Sequence, residues 1–165
     1  MAGTAHIRVI LAAFILGVAI SVPLAWKIVG AAEIGEEAKG RNAWQPSPTN
    51  PGAFYMPLIG DAKTAGPYVY RFKAPAGFHV PAHWHTTGRH QTVLKGVLIT
   101  VSGEPLVKSR AERLPVGSFH VTPANVRHEE WFKEETIVHI ETEGPMETIF
   151  VNPLEDPRKK AAETK

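Results

Sequence analysis

A chain of 165 residues is long enough for one domain with a sizeable core. Eighteen Lys and Arg against sixteen Asp and Glu leave a net charge of +2 with no basic cluster, which argues against nucleic acid as the main partner. There is no cysteine, so disulfides, thiolate metal sites and thiol catalysis are excluded, and any metal has to be held by His, carboxylate or amide groups.

The first element is an apolar run from Val9 to Trp26, preceded by His6 and Arg8 and followed by Lys27. Its length approaches the ~20 residues that span a bilayer as a helix and exceeds the usual signal-peptide core of about 7–15. Gly30–Ala32, followed by Glu33, offers small residues where a signal peptidase would cut. Residues 1–32 therefore read as a hydrophobic helix that is either an uncleaved membrane anchor or a cleaved signal. Both readings export the remainder to the periplasm or another extracytoplasmic space, secreted or held to the inner membrane. Residues 33–54 read as a charged linker followed by an extended, proline-rich arm from Asn42 to Phe54.

From Tyr55 onward the pattern is that of strands. Tyr68–Ala74 alternates, as does Gln91–Gly103 around Gly96; Gly117–Pro123, Glu135–Gly144 and Met146–Asn152 follow. Turn residues punctuate these runs at intervals that suit a sandwich or barrel, so residues 55–155 are predicted to form one all-β domain. The charged segment 156–165 lacks a strand pattern and is expected to fray.

The chemistry concentrates in "HVPAHWHTTGRH", His79 to His90. On a strand, His83 and His85 point to one face and can take neighbouring positions around a metal ion. Trp84 between them points the other way. In the second half, "GSFHVTPANVRH" sets Gly117, Pro123, Asn125 and His128 in order.

Together these segments resemble the two motifs of the cupin family. Gly77, His83, His85, position 89 and Gly96 fall on the first, and Gly117, Pro123, Asn125 and His128 on the second. Asn125 replaces a glycine, and Asn is the next most tolerant residue of positive φ. The likeness spans roughly Asn50 to Pro157 and extends to "PAHWH" and "FVNP", which resemble segments of small single-domain bacterial cupins. It implies a double-stranded β-helix, a jelly-roll barrel with a ligand pocket in its mouth. It also implies a divalent transition metal (Fe, Mn, Zn or Ni) on His83, His85 and His128, a small organic substrate, and commonly a homodimer.

Position 89 departs from the family, which has a ligand Glu there; Arg89 cannot bind a cation. Three repairs stand open: the Gln91 amide oxygen on the same face, His90 swinging in against its parity, or no fourth protein ligand. The favoured set is three His with Gln91 optional. Arg89 is either a partner for an anionic substrate or a solvated side chain at the rim. His139 and Glu141 share a face of their strand. If it is inward, Glu141 can act as a base; if Val138, Ile140 and Thr142 fill the core, both face solvent. His120 is expected to point away from the interior, Glu129 and Glu130 to lie on a solvent edge, and Phe54, Tyr55 and Tyr68 to wall the pocket or pack in the core. The implied activities are dioxygenation or an isomerase or decarboxylase step, beside two alternatives: a metal- or ligand-binding sensor and a metal-free structural cupin.

Overall fold

The computed structural model describes residues 43–159. The apolar run Val9–Trp26, the segment Glu33–Arg41 and the end of the tail lie outside them. Among the described residues no helix is long and apolar enough to cross a membrane.

Among the described residues, eleven antiparallel strands form two sheets. One sheet has the order β1 (Gln45–Pro46), β2 (Phe54–Ile59), β3 (Gly66–Ala74), β10 (Thr136–Gly144), β5 (Arg89–Lys95) and β8 (Phe119–Thr122). The other runs β11 (Thr148–Phe150), β4 (Phe78–His85), β9 (His128–Phe132), β6 (Val97–Ser102) and β7 (Glu112–Pro115). This is the all-β jelly roll expected from the sequence, with the core between the sheets.

Alternation decides what enters that core. On β3, Tyr68, Tyr70, Phe72 and Ala74 are buried, and directly opposite on β10 stand Thr142, Ile140, Val138 and Thr136, also buried. The second outcome foreseen for β10 is therefore the one observed: the apolar set faces in, and His139 and Glu141 face out. Phe72, Phe78 and Phe132 meet with ring centroids 5.9–6.5 Å apart and close one end of the interior. Burying each ring contributes about 1.5–3 kcal/mol.

Three sequence expectations are corrected. Gln91–Gly103 is not one run. Gly96 takes φ +73°, and a side chain there would meet Glu135 O and Thr136 Oγ1 at 2.6 Å, so the chain turns and crosses from one sheet to the other. The arm is not extended throughout: it turns between Ser47, whose N–H donates to Ala53 O at 2.9 Å, and β2, with which Gln45–Pro46 pairs, and Tyr55 Oη donates to Gln45 Oε1 at 3.2 Å. The tail is anchored at its start. Asp156 is buried and takes Arg158 Nε and Nη2 at 2.8 and 2.7 Å, holding the guanidinium over the Phe150 ring.

Candidate metal centre

β4 carries an extra residue between Val80 and His83. Its partner β9 moves two residues, from Glu130 to His128, while β4 moves three. A bulge of this kind reverses parity. Val80 faces the core before it, and His83 and His85 face the core after it. His128 lies opposite His83 across the ladder. Asn125 adopts φ +62°, as its place in the motif suggested, and its N–H donates to the His85 carbonyl at 2.8 Å. The turn that delivers His128 is thus tied to the strand that carries its partners.

His83, His85 and His128 each offer one ring nitrogen within 4.8 Å of the others, and all three residues are buried. Their outer nitrogens are satisfied. His83 Nδ1 donates to Pro81 O at 2.7 Å and His128 Nδ1 to Val126 O at 2.9 Å. His85 Nδ1 bonds Thr148 Oγ1 at 3.1 Å. A carbonyl only accepts, so His83 and His128 carry their proton on Nδ1 and present the Nε2 lone pair. His85 Nε2 is buried with no hydrogen-bond partner. Burial, reinforced by the Arg89 guanidinium, pushes the imidazoles down: His128 to about 2 and His85 well below its ordinary range. Burial also takes His83 to about 4. Three neutral imidazoles, each oriented through its second nitrogen, are the donor set a first-row divalent metal takes. The residues present fit such an ion.

Arg89 is neither solvated nor at the rim. It is 4% exposed, and Nη2 donates to His128 Nε2 at 2.7 Å and to Glu130 Oε1 at 3.1 Å. Gln91 is also inward, as parity required. Its Nε2 donates to Glu130 Oε1 at 3.2 Å, and its Oε1, the atom offered as a fourth ligand, accepts from Thr122 Oγ1 at 3.0 Å. His90 is exposed.

Glu130 is the residue that sequence reasoning missed. It lies two residues beyond His128 on β9 and shares its face, so parity alone contained the signal. Reading Glu129–Glu130 as a solvent edge was wrong for both: the residues are 7% and 5% exposed. Glu129 lies under His79, whose Nε2 is 2.8 Å away and whose ring stacks on Trp131. Burial alone would raise the Glu130 carboxyl, but Arg89, His128, His83 and the Gln91 amide outweigh it and bring it to about 2.

Glu141 is not brought to the site. Its side chain is 58% exposed and pairs with His139 Nε2 at 3.3 Å on the outer face of β10. His120 was assigned the wrong face. Phe119 and Val121 are the exposed residues of β8, and His120 stands opposite Gln91 with its Nε2 buried.

Beside the histidines opens a cavity of about 920 Å³. Tyr55, Tyr68, Tyr70 and Phe150 are among the aromatic residues that wall it, and Arg89, Glu130 and Arg158 reach it. Tyr68 and Tyr70 stack at 4.7 Å. Phe54, by contrast, is exposed and faces Lys73.

The family model described as the ChrR cupin-like domain matches residues 38–147. The chain belongs to the ChrR cupin-like family. Other cupins of known structure share the fold at low identity. The polyketide cyclase RemF from Streptomyces resistomycificus is 18% identical over 74% of this chain and 89% of its own, with a TM-score of 0.55. The salicylate 1,2-dioxygenase of Pseudoaminobacter salicylatoxidans, solved with gentisate adducts, is 15% identical over 73% of this chain and 33% of its own, with a TM-score of 0.53. The DMSP lyase DddQ from Ruegeria pomeroyi is 16% identical over 68% of this chain and 62% of its own, with a TM-score of 0.55. No curated protein matches the sequence. At these identities the likeness is one of fold.

Proposed function

We propose that this cupin is an exported, metal-dependent enzyme acting on a small organic molecule, with oxygen-dependent oxidation as the leading chemistry. The observation that carries the reading is the convergence of three neutral, buried imidazoles beside an aromatic-walled cavity. His83, His85 and His128 would hold the ion, which when bound supplies Lewis acidity and open positions for oxygen or a chelating substrate. The tyrosine wall takes the apolar body of the substrate and excludes water. Arg89 has a buried Nε without a partner and meets an anionic end of the ligand. Glu141 faces out and Glu130 is tied to Arg89 and Gln91, which weighs against isomerisation through a free carboxylate base.

The same tied carboxylate favours one second reading, a non-catalytic sensor that binds metal or a small ligand. Export rests on the apolar run at Val9–Trp26. A homodimer is supported by the exposed Phe119 and Val121 on the edge strand β8.

The deciding experiment is the metal content of the full chain, purified without chelator or affinity metal, beside a His83→Ala/His128→Ala variant. Stoichiometric metal that the variant loses is expected, with iron selecting oxygen chemistry and zinc, manganese or nickel selecting Lewis-acid chemistry. No metal in either protein, even after reconstitution, would overturn the proposal.

A further inference from the structure

Beside the histidines lies a carboxylate that the three-His scheme does not use, bound to the Arg89 guanidinium. Glu130 follows His128 by two residues on the same face of β9, so its carboxylate enters the interior beside the ligand imidazole. A carboxylate so deeply buried requires a cation. In this structure the cation is Arg89, and one atom of it, Nη2, touches both His128 Nε2 and Glu130 Oε1. His128 Nε2 is the lone pair a metal would need. The guanidinium and a metal ion cannot both have it.

We propose that Glu130 is the fourth protein ligand of the metal centre, and that Arg89 competes with the metal for Glu130 and His128. The inference rests on the metal reading given above. The guanidinium bonds one imidazole, His128, and the Glu130 carboxylate. The three imidazole nitrogens already lie within 4.8 Å of one another, and Glu130, held outside that group by Arg89, would join them on a divalent ion once the guanidinium leaves. When the ion enters, like-charge repulsion drives the guanidinium away. Arg89 has somewhere to go, because it borders the cavity and its Nε is unpartnered. Gln91 is a positioning residue in this scheme. Its oxygen is engaged by Thr122 and its Nε2 holds Glu130 in place.

The test measures affinity of the full chain for Zn²⁺ by chelator competition. Arg89→Met removes the competitor and is expected to tighten binding at least tenfold. Adding Glu130→Gln to Arg89→Met removes the ligand alone and is expected to weaken binding at least tenfold. If both changes leave affinity within twofold while His128→Ala abolishes binding, the proposal fails and the three-His site stands. If none of these proteins, wild type included, binds Zn²⁺, the metal reading fails and the proposal with it. Arg89→Met leaves Glu130 unpaired and can compromise folding, so a second measurement uses the wild type. Side-chain ¹⁵N resonances of arginine, with Arg89 assigned through Arg89→Lys, are followed during Zn²⁺ addition. The Arg89 signal is expected to move in proportion to bound metal. An Arg89 signal unchanged at saturation would overturn the competition.

Discussion

Arg89 Nη2 donates to His128 Nε2 at 2.7 Å and to Glu130 Oε1 at 3.1 Å, inside a barrel where both Arg89 and Glu130 are about one-twentieth exposed. A buried pair of this kind contributes little against an apolar replacement, yet breaking it from one side is costly. Glu130→Leu or Arg89→Met alone should therefore destabilise the metal-free protein by about 3–5 kcal/mol. Arg89→Met combined with Glu130→Leu should cost clearly less than the two single losses added together. Urea unfolding of the four proteins checks this; additive losses would show that the two side chains do not act as a pair.

The buried histidines make the metal-free protein acid-sensitive. An unfolded imidazole takes up a proton near pH 6.5, whereas His83 is held to about 4 and His128 to about 2. Between those limits the unfolded chain binds more protons than the folded one. Stability is therefore complete above about pH 6.5 and declines as pH falls toward the folded values. Glu130 adds in the same direction below about 4.5, since its folded carboxyl sits near 2. The urea midpoint of the chelator-treated protein should fall steadily below about pH 6.5. A midpoint that is flat between about pH 7.5 and about pH 5 would show that these histidines are not buried neutral.

Thr148 is expected to matter for metal rather than for the fold. Its hydroxyl bonds His85 Nδ1 from the edge strand β11, and Thr148 itself is only partly buried. Removing a partner that orients a ligand imidazole lowers metal affinity about 10–100-fold. Thr148→Val should show such a loss in chelator competition with a melting temperature close to wild type. Thr148→Ser should recover most of the affinity.

Glu141 supplies the opposite case. Its carboxylate pairs with His139 on the outer face of β10. Glu141→Ala should leave metal content unchanged and stability within about 0.5 kcal/mol of wild type. A lost metal or a lost activity would mean that the outer face of β10 takes part in the site.

What the sequence determined by itself was the material that follows local rules. Strand periodicity and turn residues specified an all-β domain, because a strand alternates its faces whatever it packs against. Alternation put His83 and His85 on one face, and the likeness to the cupin motifs added His128 as the third imidazole and a left-handed turn at Asn125, observed at φ +62°. Alternation also placed Gln91 inside and His90 outside.

Tertiary structure decided the rest, because parity along one strand gives two faces without saying which is inside. β8 was assigned backwards for that reason: Phe119 and Val121 have the apolar character of a core and His120 does not, yet pairing with β5 turns His120 inward. The charged couple Glu129–Glu130 looked like a solvent edge, although Glu130 shared the face of His128 two residues before it. Its burial became tolerable only through a partner 41 positions away in sequence, the Arg89 guanidinium on β5 in the opposite sheet. Sequence showed that position 89 lacks a carboxylate. Only the packing of two sheets face to face showed that another carboxylate stands across the site and that Arg89 is bound to it.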